Sequence, residues 1–329
     1  MSRTIPLPGS GRITLALLAV VPAVMAYPWR APRDQWVLGI AVAVVILLFG
    51  WWGGLHFTTI LRRRAAMMTR SGGRGAEPEV EQAVRATALL RLGPPAHEQD
   101  VLPLPLIAGY LDCYGIRADT IRITNRTTAS DARQTWIALT VSGADNLAAL
   151  RARSSRIPLR ETTQVAVRRL ADHLREIGWE ATVSGSDVVP RLLDSAGRET
   201  WSAVQAGSGY LAAYRVSVDD ALPGALDAIQ SQPARETWTA LEIAGARGSG
   251  ASHTVAVACA LLTDEPPSSA LPGLTRQRGN QRPALAALDL LSTQRLDGHT
   301  GVADDLLRQL DWPTPLAGAH RAPLVEAKT

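Results

Sequence analysis

The sequence predicts two N-terminal transmembrane helices followed by a cytoplasmic mixed α/β domain with an internal duplication. Three observations lead there. Two apolar runs with almost no charge occupy residues 13–57. The basic residues are concentrated around those runs. A Trp-centred heptad recurs three times further on, as RQTWIAL from Arg133, RETWSAV from Arg198 and RETWTAL from Arg235. With 329 residues, 46% hydrophobic and only 19% charged, the composition excludes a disordered chain or a coiled coil and fits one or two folded units.

The first run, Ile13 to Ala26, is ITLALLAVVPAVMA, and it reaches membrane-spanning length when extended through Trp29. A bilayer core of about 30 Å needs about 20 apolar residues. Pro22 should kink this helix. The run also fits a secretory signal peptide, with Arg3 and Arg12 ahead of it and small residues near Ala26; the uncleaved helix is the preferred reading. The second run, Trp36 to Phe57, is long enough by itself. Trp29, Trp36, Trp51 and Trp52 lie near the ends of the two runs, where aromatic belts form. The expected division is a transmembrane hairpin over 1–62 (spans about 13–29 and 36–57), a linker over 63–76, a folded domain over 77–312 and an irregular tail over 313–329.

Charge orients the hairpin. Residues 1–75 hold nine Arg and one acid, Asp34, and so carry +8; the whole chain is +4, so residues 76–329 carry −4. Arg62, Arg63, Arg64, Arg70 and Arg74 follow the second run and should remain in the cytoplasm, which puts both termini there. The high pI, about 9.5, is therefore a membrane-orientation signal, and a nucleic-acid partner is not implied. The Arg62–Arg64 cluster can meet anionic headgroups or a partner subunit. Gly50, Gly53 and Gly54, beside Trp51 and Trp52, allow the close helix approach that drives association within lipid.

In the cytoplasmic part, a helix is expected from Glu77 to about Leu92, on the spacing of Val80, Val84, Ala88 and Arg91, with Gly93-Pro94-Pro95 ending it. Residues 116–125 and 133–143 alternate apolar and polar residues and should pair as a hairpin. A helix is expected over 144–153. A stronger one runs over 158–178, with Val167, Leu170, Leu174 and Ile177 on one face and Gly178 as its cap. Strands are expected at 179–184, 199–206, 210–218, 237–244 and 253–262, and helices at 283–294 and 300–311. The three heptads, with a weaker echo between residues 110–123 and 210–223, suggest duplicated βα-type units. Trp136, Trp201 and Trp238 would then fill the core between sheet and helices.

The search for chemistry returns little. No GxxxxGK[ST] loop is present, since the sole lysine is Lys328. The segment 207–212 fits GxGxxA, but the residues after it read as a strand, whereas a dinucleotide site needs a helix. The six histidines have no zinc spacing, and Cys113 and Cys259 lie far apart and read as inert thiols in a reducing compartment. No GxSxG elbow occurs. Asp219-Asp220 and Asp304-Asp305 are adjacent pairs of the solvated kind, and Asp-x-Asp is missing. The Gly/Ser loop at 245–252 reads as a hairpin connection that could also cradle an anion. No enzyme activity, cofactor or metal is predicted.

Taken together, the two N-terminal runs with WWGGLHFTTILRRR after the second, and the Arg-x-Thr-Trp strands, resemble the EccE family, the E component of the mycobacterial ESX (type VII) secretion membrane complex. The resemblance implies a non-catalytic subunit in the bacterial inner membrane, beside EccB-, EccC- and EccD-type components and in contact with the lipid bilayer. EccC supplies the ATPase there, which agrees with the missing nucleotide loop. It also implies a soluble domain distantly like glycosyltransferase folds. A membrane-anchored glycosyltransferase-like enzyme and a ligand-sensing adaptor are therefore the alternatives to be tested.

Overall fold

The computed structural model describes residues 10–25, 27, 32–49, 51–52, 55–70, 84–97, 101–130, 132–185, 189–193, 197–207, 209–246, 253–267, 271–302 and 304–315. It falls into two compact units, Met1–Arg74 and Gly75–Thr329. Residues 71–76 of the expected linker, residues 247–252 of the Gly/Ser loop and the tail beyond residue 315 lie outside the described residues.

In the first unit, α1 (Ser10–Met25) and α2 (Pro32–Phe49) pack on one another. α1 has 16 residues and contains Pro22. α2 has 18, but Arg33 and Asp34 occupy its first turn, so its apolar part, Trp36–Phe49, rises only about 21 Å. The predicted second span does not continue to Phe57. Beyond the helix end, Trp51–Trp52 (β1) pairs antiparallel with Leu55–His56 (β2), which leaves a Gly-Gly dipeptide between them in the sequence. α3 (Phe57–Arg70) follows. The expectation of two transmembrane helices is therefore overturned, and the multi-pass placement loses its support: among the described residues no helix is long and apolar enough to cross a membrane.

The second unit is built on a large antiparallel sheet, which also corrects the mixed α/β expectation. Its elements are β3 (Arg85–Pro95), α4 (Leu104–Gly109), β4 (Asp112–Cys113), β5 (Ile116–Thr128), β6 (Arg133–Ser142), α5 (Leu147–Arg153), α6 (Leu159–Glu176) and β7 (Trp179–Ser184). Then come β8 (Arg198–Glu199), β9 (Val204–Ala206), β10 (Gly209–Val216), α7 (Leu222–Gln230), β11 (Glu236–Gly245), β12 (His253–Thr263), β13 (Leu274–Arg276), α8 (Gln281–Leu288), β14 (Thr300–Val302) and α9 (Asp304–Gln309). The strand order is β7-β3-β6-β5-β11-β12-β10-β9-β8, with β4, β13 and β14 pairing at the side.

The order reads alike outward from the central β5–β11 pair. On one side it is β5-β6-β3-β7, and on the other β11-β12-β10 followed by β9 and β13. Apart from the two-residue β4, each half begins with a strand, a short helix and a hairpin: β3-α4-β5-β6 and β10-α7-β11-β12. Because the hairpin's second strand lies between the other two, each half is a split βαβ unit. The Arg-x-Thr-Trp heptads do not mark this symmetry. Those at 133 and 235 fall on β6 and β11, which occupy different places in their halves, and the one at 198 runs through β8 into a bend. The duplicated βα reading based on those heptads is thereby corrected.

Side chains explain how the sheet is covered. One face carries Leu90, Leu92, Ile121, Ile123, Ile137, Leu139, Leu241, Ile243, Val255 and Val257, and it packs against Val167, Leu170 and Leu174 of α6 and Leu222 and Ile229 of α7. The other face is lined with small residues, Ala138, Ala213, Ala240, Ala256, Ala258 and Ala260, together with Leu89, Trp136 and Trp238. The alanines leave room for Leu285 and Leu288 of α8 to lie close to the strands. Two further expectations change. The helix expected over 77–92 is, from Arg85 on, strand β3. The strand expected over 199–206 is broken at Trp201–Ser202.

Candidate functional site

The register of the central pair places Arg122 on β5 directly opposite Glu242 on β11. Both face the alanine-lined side, which residues 287–299 cover. Arg122 Nη2 lies 2.5 Å from Glu242 Oε2, and Nε donates to the same oxygen at 2.8 Å. Glu242 Oε1 accepts from the Leu296 amide at 3.2 Å and lies 3.0 Å from His299 Nε2. The other ring nitrogen of His299 is 3.1 Å from Thr254 Oγ1. Arg122 donates its remaining hydrogens to the carbonyls of Ala287 (2.6 Å), Asp289 (3.2 Å) and Gln294 (2.5 Å). Burial alone would push the Glu242 carboxyl up, but the Arg122 charge and the hydrogen bonds from His299 and Arg122 outweigh it and hold the group below the usual carboxylate range. Glu242 is 0% exposed and both of its oxygens are engaged, so no substrate can reach it. The cluster is a clamp that ties residues 287–299 to the middle of the sheet.

Two open clefts flank the clamp. One, of about 490 Å³, is lined by Asp112, Arg117, Asp119, Asp145, His253 and Arg295. Its central carboxylate, Asp119, is held by Arg295 at 2.5 Å and lies 3.3 Å from Arg85 Nε. Asn146 shapes its wall by bonding both the amide and the carbonyl of Arg117 at 2.7 Å. The other cleft, of about 710 Å³, lies on the alanine-lined side and is bordered by Arg91, Arg126, Gln134, Trp136, Glu180 and Thr182. Arg126 pairs with Glu236 and sits 5.5 Å from the centre of the Trp238 ring, while the Trp238 indole donates to Glu236 at 2.8 Å.

Asp112 and Asp119 in the first cleft and Glu236 at the second are paired with arginines, and among the described residues no nucleophile stands beside a base. Among the described residues no group of His, Cys, Asp and Glu could hold a metal ion. Cys259 is fully buried, and burial pushes its thiol up, which removes it as a nucleophile. All the described strand pairings are antiparallel, whereas nucleotide crevices of doubly wound folds open at the carboxyl ends of parallel strands. Among the described residues the sheet has no crevice of that kind.

The residues singled out from sequence are placed as follows. Gly50, Gly53 and Gly54 lie outside the described residues, and Trp51 and Trp52 form β1. Arg62, Arg63 and Arg64 lie on α3, the first and last exposed and Arg63 half-buried. Trp136 and Trp238 are buried and stacked, with ring centres 6.3 Å apart and planes 11° from parallel. Trp201 is half-buried in a bend, where its ring lies so close to Gly279 that a Cβ there would come within 2.3 Å of it. The structure thus brings together two of the three tryptophans. The Arg122–Glu242 clamp was not read from the sequence. Its signal is present, since each residue is a lone charge within an otherwise uncharged stretch, TIRIT and ALEIA.

Comparison with known proteins adds three findings. The family described as "Putative type VII ESX secretion system translocon, EccE" matches residues 129–216. A protein of Mycobacterium tuberculosis (strain ATCC 25618 / H37Rv), named ESX-3 secretion system protein EccE3, is 60% identical over 323 residues, covering 97% of either chain. Its namesake in Mycolicibacterium smegmatis is 50% identical over 292 residues, covering 88% of this chain and 90% of its own.

Proposed function

The chain belongs to the EccE family of type VII secretion components, and from that premise we propose that it is a non-catalytic structural subunit of an ESX-3-type secretion complex at the bacterial inner membrane. It packs against the other membrane components of that complex and contributes its 75–329 unit to protein export. The observation that carries this reading is the 60% identity to EccE3 over 97% of both chains. Identity at that level along the whole length argues for the same place in the same kind of assembly.

The geometry of the second unit supports a scaffold. The ionisable groups buried at the centre of the sheet, Arg122 and Glu242, are spent on holding residues 287–299 in place. The open clefts carry ion pairs with no reactive centre among the described residues. Export is the test. Loss of the chain should abolish secretion through the system it serves. Reintroducing the chain with Asp112→Asn and His253→Gln, which removes titratable groups from the polar cleft, should restore it. A stably folded variant that assembles and still fails to export would point to chemistry in that cleft and sink the non-catalytic reading.

A further inference from the structure

A third cavity lies on the helix-covered side, between the β4–β5 hairpin and α6. Its volume is about 210 Å³. Tyr110, Ile116, Ala118 and Leu139 line it, and all four are buried. Arg153, Arg169 and Glu161 lie on its exposed rim. The register of β4 and β5, Asp112↔Arg117 and Cys113↔Ile116, leaves Tyr114-Gly115 as a two-residue turn. Both have positive φ, 56° and 70°. Glycine takes that conformation freely, but a tyrosine there is strained, and such strain persists where the surroundings or a function require it. Tyr114 is 60% exposed. The Arg169 guanidinium lies 4.2 Å from its centre, and Arg153 donates to the Tyr114 carbonyl at 3.0 Å. The strained turn therefore holds an aromatic side chain at the mouth of an apolar cavity, with two arginines fixed beside it.

The charge around this mouth runs against the rest of the unit. Residues 76–329 carry −4, yet residues 147–169 contain six Arg and one Glu, or +5. Arg151, Arg156, Arg160 and Arg168 are exposed and form no ion pair among the described residues. Ile157 and Val165, 49% and 43% exposed, add apolar surface. We infer that this mouth is a docking site for an acidic peptide segment of a partner protein, with one large apolar side chain seated in the cavity and flanking carboxylates on Arg153 and Arg169. Three features select this occupant. Uncompensated arginines call for negative charge. The apolar surface is concave and floored by Ile116 and Leu139, so it admits an inserted side chain, whereas a flat bilayer would meet only its rim. Exposed Tyr beside Arg is the composition that dominates peptide and protein recognition. The inference rests on the reading of the chain as a subunit that holds partners.

The test uses the full-length chain and short synthetic peptides bearing several Asp or Glu around a single Leu, Phe or Tyr, followed by fluorescence polarisation. Micromolar binding is expected, weakening with added salt and lost when the anchor is changed to Ser or the acids to Lys. Arg153→Glu with Arg169→Glu should weaken it about tenfold or more with only a small loss of melting temperature, because both side chains are exposed and their contacts with Tyr114 are at the surface. Tyr114→Gly is the decisive variant, since it relieves the left-handed strain. It should leave the fold as stable or more so while weakening binding, which a purely structural tyrosine would not do. Binding indifferent to these substitutions overturns the inference. So does failure of every acidic peptide, or capture instead of phosphatidylglycerol vesicles or RNA. Assembly of the native complex without peptide binding removes the inference and leaves the subunit reading intact. Peptide binding by a chain that assembles with nothing does the reverse.

Discussion

Glu242 concentrates the energetics of the second unit in one side chain. Changing it to Gln keeps the shape but leaves the Arg122 guanidinium buried without a counter-charge. Breaking such a pair from one side costs about 3–5 kcal/mol, to be read by chemical denaturation. The double change Arg122→Met with Glu242→Leu should recover only part of that, because the carbonyls of Ala287, Asp289 and Gln294 lose their donor. The same carboxylate sets an acid limit. Its pKa is lowered in the folded state from an ordinary 4.5. The stabilisation is therefore present above about pH 4.5 and drains away as the pH falls through the lower folded value. Glu242→Gln should flatten that acid limb of the stability curve. Tyr110 gives a second titration. Burial, helped by Tyr114, pushes its hydroxyl up to about 12, and burial raises Tyr214 as well, so two tyrosines should ionise late in an ultraviolet pH titration, and Tyr110→Phe should remove one of them.

At the scale of elements, legibility followed how unlike the two faces of a segment are in residue type. The β5–β6 hairpin and α6 were readable because each keeps its period: Ile121, Ile123, Ile137 and Leu139 alternate inward, and Val167, Leu170 and Leu174 form a stripe. β3 reads as a helix because it carries leucines on both sides. Leu89 packs on the alanine-lined face and Leu90 on the other, so alternation disappears and a four-residue spacing of apolar residues stands in for a helix. The pairing of Trp136 with Trp238 could not be read either, since it depends on the strand order β6-β5-β11, a non-local fact. Trp136→Ala should cost about 3–5 kcal/mol, and a double-mutant cycle with Trp238 should give about 0.5–1.5 kcal/mol of coupling beyond area burial. Edge strand β7 is guarded: Arg175 Nε donates to the Ala181 carbonyl at 2.7 Å. Amide exchange should accordingly be slowest in β5, β6, β11 and β12, and faster in β7 and in the two-residue β8.

For the whole molecule, composition misled about the membrane and informed about charge. Residues 13–57 read as two spans when only hydrophobicity is counted. In the structure, the polar first turn of α2 and the short β1–β2 pairing divide that stretch into helices of 16 and 18 residues, and neither is long and apolar enough to cross a bilayer. The charge split persists as a property of the folded chain. The first 75 residues carry +8, and the remainder is acidic apart from the arginine-rich 147–169. Family membership was legible from whole-chain pattern and agrees with 60% identity over 97% of the chain. The clamp and the clefts were not, because they are assembled from residues as far apart as Arg122 and Gln294. The central claim is that the chain works as a structural part of a type VII secretion complex. The most direct measurement is mass spectrometry of what accompanies an affinity-tagged full-length chain drawn from native membranes in mild detergent. The other membrane components of the same secretion system are expected in stable association with it. A chain that emerges alone, folded and monomeric, would contradict it.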